Sequence, residues 1–188
     1  MDLLQYQSGL LLADVMDVNR RDAYEAKRQD LTARGLPYWV AMESHSKPTT
    51  GDASDLVLGY AYLSPFREHL VSYAPTVEQS LFVHPQYHSR SIGTGLLNAP
   101  FRLVDAGQVH HSCSVAGRDE LGGPGISSGT RVRNIIAGVA VDPEGEQGGE
   151  ALRRWYEKCL LVEVGRSHRV GFKRGNWEVF EIQVSIPQ

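Results

Sequence analysis

One acidic residue lies inside a run that predicts a strand. Residues 76–83 are rich in apolar and β-branched side chains, and Glu78 follows Val77 and precedes Leu81 in that run. An acidic side chain is disfavoured there unless it has a partner or a chemical task. A carboxylate in this position can take a proton from a reacting group, directly or through water. Glu78 is therefore either a general base or a strand residue that faces solvent.

A turn of small residues follows this strand. His84 and Pro85 end the strand, and residues 89–91 lie directly before a predicted helix. The N-terminus of a helix presents backbone N–H groups to an anion, and here Arg90 and Thr94 add a charge and a hydroxyl group. The stretch predicts either a phosphate-binding loop or an ordinary joint between a strand and a helix.

Two further patterns suggest other chemistry. Residues 125–129 spell G-x-S-x-G, a nucleophile pattern that requires a strand before it and a helix after it. A glycine-rich loop precedes it here and a strand follows, so a hydrolase centred on Ser127 is disfavoured. His110, His111 and Cys113 form a possible metal cluster, but no second pair of ligands has suitable spacing. A polar loop is the better interpretation, and no metal is predicted.

The elements that must position these residues alternate in type. Apolar spacing predicts the helices, and apolar runs between turn residues predict the strands. In chain order we predict a helix (10–34), three strands (37–42, 56–63 and 76–83), a helix (92–106), a strand (132–141), a helix (151–161) and two strands (162–170 and 176–186). This order indicates an α+β (α/β) fold with a mixed sheet.

Loops and breaks between these elements are also predicted. Gly35 is expected to end the first helix, and Pro100 is expected to kink or break the second, since proline lacks an amide hydrogen. Residues 44–55 are expected to form a hairpin loop. Residues 107–130, which are rich in glycine and poor in apolar side chains, are expected to form a long mobile insertion.

Composition excludes several classes of function. The chain has 188 residues, which suits one domain, and a net charge of −3, which gives no footprint for nucleic acid or an anionic membrane. It has no apolar run of about 20 residues, as a membrane span requires. No signal peptide is evident, and two cysteines in unrelated contexts indicate a reduced, cytoplasmic setting.

Four ordered stretches together resemble one family. Residues 59–67 read GYAYLSPFR, residues 76–85 read TVEQSLFVHP, residues 155–165 read WYEKCLLVEVG and residues 170–179 read VGFKRGNWEV. The first, second and fourth resemble the patterns GYAYxSPFR, TVExSVYVHP and VGFKxGxWxDV of phosphinothricin acetyltransferase-like GNAT N-acetyltransferases, and the third resembles LYExLGFxxVG, a general GNAT element. The resemblance implies the GNAT acyl-CoA N-acyltransferase fold, a mixed sheet flanked by helices and splayed between the strands at 76–83 and 132–141.

The resemblance implies acetyl-CoA as the cosubstrate and Glu78 as the base that deprotonates an amine. The implied cofactor-binding residues are Leu81, Phe82, Val83, His88, Ser89, Arg90, Ser91, Ile92, Gly93 and Thr94. The family loop reads Gln/Arg-x-x-Gly-x-Gly/Ala, so Gly93 matches, whereas His88 and Ser91 replace Gln/Arg and glycine. Because glycine serves where φ is positive or phosphate comes close, Ser91 is expected to strain or crowd the loop.

Other implied roles follow from the remaining matches. Tyr156 falls where many GNAT enzymes keep a tyrosine that protonates the departing thiolate, although phosphinothricin acetyltransferase relatives commonly carry histidine there. A tyrosine packed on a helix face is the alternative. Gly149 and Leu160 replace a family asparagine and glycine. The implied substrate-binding residues, which would suit a small amino acid with a second acidic group, are Phe66, Arg67, Tyr73, Lys173 and Trp177.

The predicted function is transfer of an acetyl group from acetyl-CoA to the primary amine of a small molecule, an amino acid or an analogue such as phosphinothricin or methionine sulfone. Residues 1–188 are expected to form one GNAT domain that lacks the family's first strand and helix. Family members are commonly homodimers, and neither nucleic acid nor membrane is an expected partner. The alternative is a catalytically degenerate GNAT-like protein for binding or assembly, which Ser91 and Gly149 favour.

Overall fold

The computed structural model describes residues 3–5, 18–43, 56–67, 70–112, 129–139, 150–159, 161–165, 172–173, 176–177 and 180–184. In chain order its elements are β1 (Leu3–Gln5), α1 (Val18–Ala33), β2 (Tyr38–Met42), β3 (Val57–Pro65), β4 (Thr76–Val83), α2 (Ile92–Asp105), β5 (His110–His111), β6 (Thr130–Arg131), β7 (Asn134–Val139), α3 (Glu150–Lys158), β8 (Phe172–Lys173), β9 (Asn176–Trp177) and β10 (Phe180–Val184). None of the helices described there is both long enough and apolar enough to span a bilayer.

Strands of the described ranges form one mixed sheet in the order β1-β2-β3-β4-β7-β10. Neighbouring strands are antiparallel except β4 and β7, which run parallel. Two small ladders, β5–β6 and β8–β9, lie outside this sheet. The predicted α+β fold with a mixed sheet flanked by helices is confirmed.

The end of α1 is set by a glycine, as the sequence predicted. Gly35 has a φ of +77°, which only glycine adopts without strain. The N–H of Gly35 donates to the oxygen of Thr32 at 3.0 Å, and that of Leu36 donates to the oxygen of Leu31 at 2.8 Å. This is the Schellman arrangement, and its accompanying apolar contact is present because Leu31 and Leu36 are both buried.

Helix α2 covers one face of the sheet. Its buried residues, Ile92, Leu96, Leu97, Pro100 and Val104, recur at helical spacing and form one apolar face. The helix continues through Pro100, so the predicted break is wrong. Burial of this face holds the backbone in place although proline removes one helical hydrogen bond.

Close approach of the sheet to α2 depends on a glycine in β3. A Cβ atom at Gly59 would lie 2.6 Å from the oxygen of Phe82 and 3.2 Å from a methyl carbon of Leu96. Any larger residue would therefore push β3 away from β4 and α2. Gly59 pairs with Val83 at the end of β4 where the turn of small residues begins.

Several boundaries differ from the prediction. Strand β1 was not predicted, and α1 is described from Val18 rather than from residue 10. A strand over 162–170 is wrong for residues 162–165, which have no regular structure; Val162 and Val164 are exposed, so their apolar character did not decide the conformation. The single strand predicted over 176–186 is two strands, β9 and β10. Residues 44–55 lie outside the described ranges.

The predicted insertion over 107–130 has an ordered base. Strands β5 and β6 pair antiparallel, and the N–H of Ser112 donates to the oxygen of Arg34 at 2.9 Å. His111 is buried, and its Nδ1 lies 3.3 Å from the oxygen of Ala74. The base is thus joined to the end of α1 and to the turn before β4. Residues 113–128 lie outside the described ranges.

Candidate active site

The sheet opens between β4 and β7. The two parallel strands pair only at Thr76–Asn134, Val77–Ile135 and Glu78–Ile136, although each strand continues beyond these pairs. On its other edge β4 stays paired with β3 as far as Val83. Beyond Glu78 the β7-facing edge of β4 therefore lies along a gap, and the predicted splay between these strands is present.

Glu78 lies at the last paired position before the gap. Its side chain is exposed, and its Oε1 lies 3.7 Å from the place that a Cβ atom on Gly138 of β7 would take. The carboxylate thus reaches across to β7 where the strands separate. On the other side Glu78 pairs with Ser64, whose hydroxyl donates to the Glu78 carbonyl oxygen at 3.4 Å. The arrangement holds a proton acceptor at the apex of the opening.

A cavity of about 590 Å³ occupies the region where the gap meets α2 and α3. Its size falls within the range of small-molecule and cofactor sites. All of the predicted cofactor residues except Arg90 line it, and Tyr156 lines it as well. Three lining residues were not predicted from the sequence: Tyr87, Leu152 and Trp155. The structure therefore brings the cofactor set and Tyr156 together around one space.

The turn between β4 and α2 is held by its own side chains. His84 accepts a hydrogen bond from the N–H of Gln86 at 3.3 Å and caps the short 3-10 turn Pro85–Tyr87. The Nε2 of His88 lies 3.1 Å from the oxygen of Val83, so the imidazole ties the turn back to the strand. The Arg90 guanidinium lies 5.2 Å from the centre of the Tyr87 ring. These contacts fix the turn beside the cavity.

Two serines of this turn have left-handed backbones. Ser89 has a φ of +62° and Ser91 a φ of +60°. The backbone at Ser91 is thus in the conformation for which the family uses glycine, and the expected strain is present. Ser91 is the N-cap of α2, but its side chain makes no capping hydrogen bond. The loop therefore keeps the backbone conformation that a glycine adopts easily, and the Ser91 side chain is added directly before α2.

The N-terminus of α2 faces the cavity. The N–H of Gly95 donates to the oxygen of Ser91 at 3.0 Å, the first bond of the helix. The N–H groups of Ile92, Gly93 and Thr94 precede that bond, and the first N–H groups of a helix have no partner within it. All three residues line the cavity. Together with the helix dipole, these groups form a site that favours a phosphate or another anion.

Helices α2 and α3 meet at a glycine. A Cβ atom on Gly93 would lie 3.3 Å from the Trp155 ring and 3.6 Å from a methyl carbon of Val83. The indole of Trp155 therefore packs over Gly93 and forms a cavity wall. The sequence marked Gly93 as part of a phosphate loop, but its second task, the close contact with α3, depends on long-range packing that no local pattern shows.

Tyr156 is buried beside the cavity. Burial, with a smaller effect from Cys159, raises the pKa of the Tyr156 hydroxyl to about 12. The side chain is 8% exposed and packs edge-on against Trp155, with ring centres 4.8 Å apart. A hydroxyl with this pKa keeps its proton across the neutral range. It can act as a proton donor and does not serve as a resident base.

Comparison with solved structures gives the fold a known counterpart. A ribosomal-protein-alanine N-acetyltransferase from Brucella melitensis has a TM-score of 0.60 at 21% identity, covering 92% of this chain and 80% of that one. The yncA protein of Salmonella typhimurium, solved with its cofactor acetyl-CoA, has a TM-score of 0.57 at 24% identity, covering 92% and 76%. No protein-family model matches the sequence, and no curated protein matches it either.

A third similar structure belongs to the GNAT superfamily. It is a GNAT superfamily phosphinothricin acetyltransferase from Sinorhizobium meliloti in complex with acetyl-CoA, with a TM-score of 0.55 at 25% identity, covering 88% of this chain and 69% of that one. The fold is the GNAT fold. These likenesses establish the architecture, and the chemistry of this chain has to be argued from its own residues.

Within the GNAT fold, three of the predicted substrate residues form a cluster at the end of β3. The Arg67 guanidinium lies 5.3 Å from the ring centres of both Phe66 and Tyr73, and its Nη1 lies 3.5 Å from the Tyr73 hydroxyl. Arg67 has a left-handed φ of +49°. The N–H of Phe66 donates to the oxygen of Thr76 at 3.4 Å. This bond places the backbone of the cluster beside the start of β4, two residues before Glu78.

Two further predicted substrate residues lie outside the main sheet. Lys173 and Trp177 lie on the small β8–β9 ladder, where Phe172 pairs with Trp177 and Lys173 with Asn176. The G-x-S-x-G serine, Ser127, and the third member of the suggested metal cluster, Cys113, lie outside the described ranges. Among the side chains that are described, no group of three or more His, Cys, Asp or Glu could hold a metal ion.

Proposed function

We propose that this chain transfers an acetyl group from acetyl-CoA to the primary amine of a small molecule. One observation carries the proposal: the cavity is lined by the end of β4 and the first residues of α2, and Glu78, the last residue of β4 that pairs with β7, precedes that lining stretch on the same strand. Acetyl-CoA as the cosubstrate is supported by two neighbours of the same fold that were solved with it.

The residues around the cavity fit the parts of acetyl-CoA. The pyrophosphate is an anion and suits the α2 N-terminus, where Ser89 and residues 91–94 line the cavity. The pantetheine arm carries amides that can pair with the edge of β4 beyond Glu78, in the manner of an added strand. Leu81, Phe82 and Val83 provide an apolar wall along that edge, and Phe82 is 47% exposed, so it has surface left to cover.

The proposed reaction moves three protons. The carbonyl carbon of the acetyl-CoA thioester accepts the amine nitrogen. Glu78 takes one proton from the ammonium group, directly or through water, so that the nitrogen lone pair can form the new C–N bond. When the C–S bond breaks, the Tyr156 hydroxyl gives its proton to the departing sulfur. The nitrogen, now bonded to the acetyl carbon, loses its second proton through water to the Tyr156 oxygen, which restores the hydroxyl. The products are an N-acetylated amine and the free thiol of coenzyme A.

An amino acid or a close analogue is the proposed acceptor. The cluster of Phe66, Arg67 and Tyr73 supports this choice because a guanidinium held between two rings can bind a carboxylate or a similar anion. We include Lys173 and Trp177 in the acceptor site on the resemblance of their segment to VGFKxGxWxDV. Phosphinothricin and methionine sulfone are the first candidates, and the Sinorhizobium neighbour, a phosphinothricin acetyltransferase, supports the first of them.

A catalytically degenerate GNAT-like protein is the second candidate. The observation that favours it is Ser91, whose Cβ occupies a left-handed position that the family leaves to glycine. Against it, the backbone path of the loop and the free N–H groups of α2 are those that a phosphate needs. The two candidates differ in whether acetyl-CoA binds and is consumed.

The test begins with isothermal titration of the chain with acetyl-CoA, followed by turnover of a panel of amino acids that includes methionine sulfone. Glu78→Gln is expected to lower kcat at least 100-fold while the acetyl-CoA Kd stays within twofold, since removing a general base costs roughly 10²–10⁴ in rate. Asp105→Asn is the matched control, because it removes an exposed carboxylate at the far end of α2. Absence of acetyl-CoA binding by the folded chain would contradict the proposed acetyltransferase activity and leave the catalytically degenerate GNAT-like protein as the remaining candidate.

A further inference from the structure

Among the side chains described in α1 and directly after its end, the cations differ in whether a carboxylate contacts them. Arg28 donates to Glu25 at 2.9 Å, and Arg34 donates to Asp30 at 3.0 Å. Lys27 directly precedes Arg28 in sequence and has no carboxylate partner among the residues that the structure describes. Cations on an exposed helix surface are commonly balanced by a carboxylate three or four residues away. Lys27 departs from that pattern because its side chain turns towards the sheet.

Lys27 is held by one tyrosine of β3. Its Nζ donates to the Tyr62 hydroxyl at 2.9 Å and lies 4.5 Å from the centre of the same ring. Tyr62 itself is buried and stacks on Tyr38 at 5.7 Å between ring centres. An ammonium has three N–H donors, of which Tyr62 takes one. The ammonium is therefore fixed in place while two donors and its full charge remain for a further partner.

The ammonium lies over the face of the sheet that carries Glu78. Tyr62 pairs with Ser80, and Ser64, two residues further along β3, pairs with Glu78. Residues two apart in a strand point to the same face and lie about 7 Å apart along it. Tyr62, Ser64, Ser80 and Glu78 therefore share one face, and the contact from Lys27 shows that α1 packs over the same face.

We propose that Lys27 binds an anionic group of the acceptor, of the carboxylate class, and so selects amines that carry one. This inference rests on the proposed function, because it concerns the acceptor whose amine Glu78 deprotonates. A fixed ammonium on this face repels a bare ammonium substrate and attracts one whose negative group lies a few ångströms from its amine. Tyr62 positions the lysine, and the acceptor's carboxylate replaces the ion-pair partner that Lys27 lacks.

The alternative for Lys27 is a structural one. A lysine can lay its aliphatic stem along an aromatic surface and leave its charge in water, with no role in recognition. Such a role predicts a change in stability on substitution and no change in acceptor preference. The proposal predicts a change in acceptor preference, so a measurement of preference separates the two.

The experiment compares two acceptors that differ only in the anionic group, methionine sulfone and its α-carboxamide, in turnover with saturating acetyl-CoA. The ratio of the two kcat/KM values is determined for each variant and for the wild type. Comparison of these ratios cancels the intrinsic difference in amine reactivity between the two acceptors. We expect Lys27→Met to shift this ratio at least tenfold towards the carboxamide, chiefly through KM for the acid. Lys27→Arg is expected to keep most of the preference. Arg28→Met is the matched control, since it removes one cation from the same helix, and it should leave the ratio unchanged.

The outcomes separate the two proposals. If Lys27→Met stays folded in a thermal melt and its ratio equals that of the wild type, the role of Lys27 is overturned while the acetyltransferase stands. If the wild type does not bind acetyl-CoA in the titration, the proposed function falls, and the acceptor role of Lys27 falls with it.

Discussion

Left-handed backbone at residues other than glycine costs roughly 1–2 kcal/mol each. In the described ranges three such residues occur, Arg67, Ser89 and Ser91. All three belong to the set that the sequence nominated for binding, and they lie at its two ends, the acceptor cluster and the cofactor loop. Strain of this kind persists only where the surrounding structure maintains it, and it concentrates at functional sites. The backbone thus supports the site independently of the motifs.

Ser91 gives a prediction about the cofactor loop. Ser91→Gly removes a Cβ from a left-handed position and is expected to raise the unfolding free energy by up to about 1 kcal/mol. It is also expected to tighten acetyl-CoA binding several-fold, because the Cβ next to the α2 N–H groups is gone. Ser89→Gly is the control: its φ is nearly the same, but it is not the N-cap of α2.

The measurement for these two variants is urea unfolding together with isothermal titration of acetyl-CoA. The expected result is a similar gain in stability for both and a gain in affinity for Ser91→Gly alone. An affinity gain of equal size in both variants would show that general relaxation of the turn, and not the space at the N-cap, limits binding.

Tyr156 gives a prediction about alkaline stability. Burial raises the pKa of its hydroxyl from the ordinary value of 10 to about 12 in the folded chain. As pH rises from about 10 to 12, the unfolded state loses this proton first, so the folded state is progressively disfavoured, by about 2–3 kcal/mol at the end of that range. Tyr156→Phe keeps the ring without the titrating group. Its unfolding free energy should therefore fall less steeply than that of the wild type between pH 9 and 11.5, as followed by urea unfolding.

At the scale of elements, the sequence predicted strand β4 and the start of α2 better than it predicted the packing contacts around them. The apolar run at Thr76–Val83 and the helical spacing after residue 92 gave β4 and the start of α2 because these patterns are local. Leu152 and Trp155 were missed as cavity residues because they reach the site only when α3 packs on α2. The exposed valines at 162 and 164 misled the prediction, since an apolar side chain need not be buried.

The contact of α3 with α2 gives a prediction with a built-in control. Gly93→Ala would place a Cβ 3.3 Å from Trp155, whereas nothing lies within 4 Å of a Cβ on Gly95. Gly95→Ala is expected to stabilise the chain by about 1 kcal/mol through helix propensity. Gly93→Ala should show no such gain, because displacing Trp155 offsets it, and should weaken acetyl-CoA binding. Urea unfolding and titration of both variants test this, and equal stabilisation by the two would contradict the proposed packing.

At the scale of the molecule, the fold class and the position of the splay were predictable from the sequence, whereas the pairing of the outer strands was not. The order of elements indicated a mixed sheet, and the four motifs located the opening between β4 and β7. The pairing of β10 with β7 and of β1 with β2 joins residues far apart in the chain, so no local pattern specifies it. The contact of Lys27 with Tyr62 was missed for the same reason: a lysine in a polar helix looks like any other surface cation.

The three paired positions between β4 and β7 have a mechanical consequence. They are the backbone pairs that join β4 to β7 in the described ranges, so a change in the angle between the two strands that keeps these pairs intact turns about them. Val83 lies five residues beyond Glu78, at a radius of about 16 Å from that axis. A rotation that moves the cavity rim by several ångströms therefore displaces Glu78 very little. The proposed base therefore lies where a separation of the two strands moves the backbone least.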